Sequence, residues 1–164
     1  MGHSQVDDFC SRDAYGDPLA LRNLLASGAD LNAVGSAGRT PLMIVSCSGL
    51  RGMVAELIDN GALVNAKGAK GLTALHEAAA NGQTEITLLL LQSGAEVNAA
   101  SVDGITPLMC AAAWGHREVA SALLENGADI NLVDNRGGTA LDISGEKGEA
   151  DVCELLRLKM GDAR

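Results

Sequence analysis

The chain has 164 residues, 47% of them apolar, with 21 Asp and Glu against 12 Lys and Arg for a formal net charge of −9. That is one domain's worth of chain with enough apolar material for a core, which excludes intrinsic disorder. The negative balance disfavours nucleic acid and anionic membrane surfaces as partners, because both require a net attraction to phosphate.

Aromatics make up 2% of the chain, namely Phe9, Tyr15 and Trp114. A core without large rings has to be thin, built from Ala, Leu, Val and Ile in layers laid side by side. No run of about 20 apolar residues is present, so no membrane span is expected. The N-terminus lacks the charged-then-apolar pattern of a secretory signal. Cys10, Cys47, Cys110 and Cys153 contain no Cys-x-x-Cys pair, which excludes the common zinc and thioredoxin-like patterns. Free thiols in a reducing cytoplasm are expected, with the nucleus or delivery into a host cell left open. Neither a cofactor nor a metal is expected.

In chain order, one block returns every 33 residues: Gly28-Ala29-Asp30-Leu31-Asn32-Ala33, Gly61-Ala62-Leu63-Val64-Asn65-Ala66, Gly94-Ala95-Glu96-Val97-Asn98-Ala99 and Gly127-Ala128-Asp129-Ile130-Asn131-Leu132. A second marker keeps the same step, as Thr40-Pro41-Leu42, Thr73-Ala74-Leu75, Thr106-Pro107-Leu108 and Thr139-Ala140-Leu141. Internal repetition of this length is the signature of a stacked array. The period divides a single domain, 1–164, into an opening copy at 5–37, full copies at 38–70, 71–103 and 104–136, and a closing copy at 137–164.

Each copy predicts a short helix, a Gly turn, a second helix and a Gly-rich loop. Thr40 and Thr106 stand as N-caps with Pro41 and Pro107 at the first helical position, where the missing N–H costs nothing. Gly16, Gly49, Gly82, Gly115 and Gly148 end the first helix in the left-handed conformation, and Gly28, Gly61, Gly94 and Gly127 end the second. The dipeptides Asn60-Gly61, Asn81-Gly82 and Asn126-Gly127 resemble hairpin turns, but their flanks are helical and predict helix ends. Leu24, Leu57, Leu90, Leu123 and Leu156, followed by Leu25, Ile58, Leu91 and Leu124, form the buried ridge of the second helix.

The step, the Thr-Pro-Leu or Thr-Ala-Leu-His opening and the Gly-Ala-Asp-x-Asn-Ala closing resemble the ankyrin repeat over almost the whole chain. The resemblance implies an all-α solenoid of about five stacked helix-turn-helix layers with short hairpin-like loops. In the opening copy Gln5 and Asp7 replace the usual Gly and Thr. Arg157 takes an apolar position of the closing copy, near Lys159. Both changes suit end layers whose outer face meets water. His76 alone fills the family's His position, where Met43, Met109 and Asp142 stand in the other copies. That His ties the helix start to the adjacent layer, so the other copies are expected to be held less firmly.

Candidate chemistry is sparse. His76-Glu77 invites a general-base reading, but Met43 and Met109 occupy the same column, so the position reads as structural. His116 is expected to be a surface or capping residue, and His3 lies in the tail; three histidines in unrelated columns do not form a metal site. Gly145-Glu146-Lys147-Gly148 lacks phosphate-loop spacing and reads as a cap turn. Cys47 lies on the expected binding side, with an unreactive thiol as the default.

The informative columns are those where the copies differ. One reads Tyr15, Ser48, Asn81, Trp114 and Lys147, and the column before it reads Ala14, Cys47, Ala80, Ala113 and Glu146. The loop tips are Ser36-Ala37, Ala69-Lys70, Val102-Asp103 and Asn135-Arg136, and Arg39, Leu72, Ile105 and Gly138 precede the capping Thr. The resemblance implies that these columns line a concave groove that binds proteins. The partner-binding candidates are therefore Tyr15, Arg39, Ser48, Lys70, Leu72, Asn81, Val102, Asp103, Ile105, Trp114, Arg136 and Lys147.

Trp114 reads equally as an exposed interface anchor or as a ring packed flat on its neighbours. Leu72, Val102 and Ile105 would add an apolar patch, and Arg39, Lys67, Lys70 and Arg136 a basic rim suited to an extended peptide with acidic and apolar residues. The expected function is a monomeric adaptor or scaffold that binds a partner protein. The alternative is a small inhibitor that blocks a partner enzyme by docking on it. No constellation supports an enzyme.

Overall fold

A computed structural model describes residues 5–10 and 17–162. Among them are ten α-helices and no strand. In chain order these are α1 (Gln5–Phe9), α2 (Pro18–Ala26), α3 (Pro41–Cys47), α4 (Arg51–Asp59), α5 (Ala74–Ala80), α6 (Thr84–Gln92), α7 (Pro107–Ala113), α8 (Arg117–Glu125), α9 (Ala140–Lys147) and α10 (Ala150–Asp162). They follow one another as antiparallel pairs. Helices α3, α5, α7 and α9 pack in one row, and α4, α6, α8 and α10 in a second.

The helix ends follow the repeated markers. Thr40, Thr106 and Thr139 each accept the N–H of the residue three positions on, and Pro41 and Pro107 occupy the first turn. Asn60, Asn81 and Asn126 are helix C-caps, with Gly61, Gly82 and Gly127 left-handed immediately after them. Gly16 lies outside the described residues. Gly145 to Lys147 were expected in a turn, yet they form the last turn of α9. The left-handed residue that ends this helix is Gly148, whose N–H bonds back to the last carbonyls.

The core is as thin as the composition requires. Leu24, Leu57, Leu90, Leu123 and Leu156 are at most 1% exposed. The next column, Leu25, Ile58, Leu91 and Leu124, belongs to the ridge only in part; these residues are half-buried and rest on its flank. In the other row, Ala78, Ala79, Ala111 and Ala112 are fully buried. Such small side chains let neighbouring helices approach closely.

Neighbouring repeats are also joined by three separate rows of hydrogen bonds. In the first, each loop between repeats folds as a tight finger, closed by Gly35 N–H to Arg39 O, Gly68 to Leu72, Ser101 to Ile105 and Asp134 to Gly138. Finger joins finger through Ala69 N–H to Gly38 O, Val102 to Lys70 and Asn135 to Asp103, at 2.8–3.0 Å. The second finger is distorted: Ala69–Gly71 is a 3-10 turn, with Lys70 itself at φ 67°.

The second row uses the recurring Asn. Asn32, Asn65 and Asn98 each accept a backbone N–H of the next repeat, from Leu63, Glu96 and Asp129. Asn65 and Asn98 also donate, to Gly94 O and Gly127 O. The third row reaches backwards: Gln83 donates to Cys47 O, and His116 Nε2 to Ala80 O at 3.2 Å. His116 is the N-cap residue of α8, half-buried and without a side-chain cap bond, because its ring is engaged by the preceding repeat.

The two ends differ. Asp7 accepts the Ser36 N–H and so ties α1 to the first finger. Arg157 is exposed at the other end, as an end layer requires. However, Leu158 is 56% exposed and Met160 is exposed as well. The closing surface is therefore not wholly polar, because α10 has 13 residues against nine in α8 and runs past its neighbour. No helix of the described residues is long and apolar enough to cross a membrane.

Candidate functional site

The fingers and the helices α3, α5 and α7 form a recessed face. Two cavities share the wall made by Arg39, Leu72 and Glu77. The smaller, about 200 Å3, lies among the fingers and is completed by Ala37, Gly38, Met43, Ala69 and Lys70. The larger, about 300 Å3, extends to α7 and is completed by His76, Ala80, Asn81, Cys110 and Trp114.

Trp114 is the C-cap of α7 and is 66% exposed, so its ring stands at the cavity instead of lying in the core. Asn81, the equivalent residue one repeat earlier, donates through Nδ2 to Glu77 O at 2.8 Å. The residue is exposed and lines the larger cavity. Leu72 is half-buried between the two cavities.

The polar centre is a residue outside the expected set. Glu77 is 6% exposed, and its Oε1 lies 3.0 Å from Arg39 Nε. Burial pushes the Glu77 carboxyl above the ordinary range, and the Arg39 guanidinium pulls it back. Its column otherwise reads Ser11, Ile44, Cys110 and Ile143, so Glu77 is the one ionised residue in it. That difference was the visible signal. Cys110, the next residue of the column, faces the same cavity, and burial, followed by the Glu77 charge, pushes its thiol up to about 12.

His76 is fully engaged. Nδ1 accepts the Thr73 N–H at 3.1 Å, and Nε2 lies 3.0 Å from Ile105 O in the next finger. A carbonyl can only accept, so Nε2 carries the proton. Burial, with the nearby Lys67 charge, holds this ring below its usual value. Met43 and Met109 keep the local part of the arrangement, with sulfur accepting the Thr N–H at 3.5 Å. They lack the bond to the next finger.

Of the expected partner-binding residues, Arg39, Lys70, Leu72, Asn81 and Trp114 come together at the two cavities. Ser48, Val102, Asp103, Ile105 and Lys147 line neither. Ser48 bonds to Ile44 O, Val102 is 70% exposed on its finger, and Ile105 is half-buried behind the His76 bond. Arg136 folds onto Asp134, 3.2 Å away, at a separate recess of the last finger. The basic rim is thus reduced, since Arg39 and Arg136 are both paired with carboxylates. Cys47 is half-buried and donates to Ile44 O. Ala14, Tyr15 and His3 lie outside the described residues.

A family model for ankyrin repeats, covering three copies, matches residues 9–101 and 96–163. No curated protein matches the chain.

Proposed function

The chain belongs to the ankyrin-repeat family, in general a family of protein-interaction modules and not of enzymes, and on that footing we propose that it binds a partner protein along the face that holds the two cavities. The observation that carries this reading is Trp114, a large ring 66% exposed beside a 300 Å3 recess. Exposed aromatics that fill or cover pockets are frequent anchors of interfaces. The scaffold does not use the ring, because the columns that hold the stack lie elsewhere.

The test is capture of partners by the wild-type chain and by Trp114→Ala, followed by titration with the purified partner. Binding should weaken by about 2 kcal/mol or more, with the thermal midpoint close to that of the parent. A midpoint that falls sharply with affinity unchanged would place the ring in the core and remove the anchor. An adaptor and a docking inhibitor use the same surface. Measuring whether a captured enzyme loses activity on binding separates them, and the adaptor reading expects no loss.

A further inference from the structure

We propose that the 300 Å3 cavity receives one cationic side chain, arginine foremost, from an extended segment of the partner, with Glu77 accepting from its head group and Trp114 covering its stem. This rests on the protein-binding reading and adds the chemistry of the contact.

The argument begins with the column. Ile44, Cys110 and Ile143 show that the stack holds with an apolar or weakly polar residue at this position. A carboxylate there is costly to desolvate, and a buried ion pair seldom repays that cost in stability. Glu77 is therefore placed for something other than packing.

Its geometry leaves it able to receive a ligand. The Glu77 side chain is 7% exposed and that of Arg39 is 39% exposed, so the guanidinium lies at the mouth and the carboxylate beneath it. A carboxylate accepts about four hydrogen bonds, and two guanidinium groups can share one. Arg39 and Glu77 line both cavities, and the larger one extends from this pair to Trp114.

The walls match the rest of an arginine. Leu72, Ala80 and Cys110 offer apolar contact for a methylene stem. The exposed indole of Trp114 offers a face that attracts a cation. Asn81, whose amide N–H is used by Glu77 O, presents its remaining acceptor.

The competing occupants fit less well. An acidic side chain could reach Arg39 at the mouth, but beneath it would meet Glu77, on a chain of net charge −9. An apolar side chain would cover the carboxylate without offering it a donor. A basic segment gains from the overall charge, which sets its association rate.

The test selects random linear peptides on the wild-type chain and on Glu77→Gln. Affinities are then read from the anisotropy of a fluorophore attached to the peptide, which also serves Trp114→Ala, a variant left without tryptophan. The expected result is enrichment of arginine or lysine at one peptide position. Replacing that arginine by citrulline, which keeps the shape and removes the charge, should lower affinity about tenfold or more on the wild-type protein. The same exchange should have little effect on Glu77→Gln. The citrulline comparison on the wild-type chain stands even if the variant does not fold.

Selected peptides that need Trp114 but carry an acidic or apolar residue at that position overturn the cation pocket and leave the protein-binding reading standing. Equal affinity for arginine and citrulline peptides does the same. Failure to select any peptide whose binding falls in Trp114→Ala overturns both.

Discussion

His76 and Ile105 lie in successive repeats and are joined by one hydrogen bond, from Nε2 to the carbonyl oxygen at 3.0 Å. The same ring accepts the Thr73 N–H through Nδ1. A second proton on the ring would therefore point at a donor. That geometry, added to burial, makes the charged form unfavourable in the fold.

The pH dependence follows with its sign. The folded pKa of His76 lies below the ordinary 6.5. Its contribution to stability is therefore present above about 6.5 and is lost as pH falls through the folded value. Wild type and His76→Met should differ in thermal midpoint by a margin that shrinks between about pH 8 and about pH 5. Met is the residue at this position in two other repeats, so the variant keeps the helix start. A margin constant with pH would contradict the assignment.

Leu90 and Leu156 are both fully buried, yet their loss should register differently. Leu90→Ala removes packing between repeats on both sides and should cost about 2–5 kcal/mol in denaturant titration. Leu156→Ala should cost less in the main transition, because an end unit opens on its own and has one neighbour. Equal costs would argue against stacking as the source of stability.

The Asn row supplies its own control. Asn65→Ala removes one bond accepted from Glu96 N–H and one donated to Gly94 O, and should cost about 1–2 kcal/mol. Asn131 occupies the same column, but its described bonds go to Asp129 within its own repeat. Asn131→Ala should change chemical-denaturation stability by less than Asn65→Ala. The reverse order would show that the inter-repeat bonds do not matter.

Gly82 and Gly94 are both left-handed, at φ 70° and 88°. A Cβ on Gly94 would meet open space, whereas one on Gly82 would come within 2.8 Å of His116 Nδ1. Both changes to Ala incur the strain of that conformation, about 1–2 kcal/mol. Gly82→Ala should cost about 1 kcal/mol more, because the His116–Ala80 bond has to give way. Matching midpoints for the two variants would rule out that bond as a contributor.

The stack was legible because its markers repeat by residue type. Gly, Thr-Pro and Leu each do one mechanical job at a fixed position, so four copies reinforce one another. The backward-reaching row hid from the same logic: Leu50, Gln83, His116 and Glu149 share a column but no chemistry, and His116 alone suggested a surface residue. Glu77 differs from Ile44, Cys110 and Ile143 of its column, but it was weighed only together with His76, whose own column made the pair read as structural. The exposure of Trp114 depends on which way a ring turns at a helix end, and a column of Ser48, Asn81 and Lys147 does not decide it. The distorted second finger carries no warning, since Lys70 is an ordinary residue in a conformation that favours glycine.

Three rows of bonds that do not share a line act on the central repeats as three legs act on a stool. Apolar layers alone can slide and swivel, because oil-like contact has no preferred direction. Bonds at the fingers, at the Asn row and at the start of the second helix remove both freedoms, fixing the rise and the rotation from one repeat to the next. The recessed face therefore behaves as a graduated ruler. On the protein-binding reading we propose, a partner segment would have to present its side chains at intervals the stack dictates, and one inserted residue would throw all its later contacts out of step.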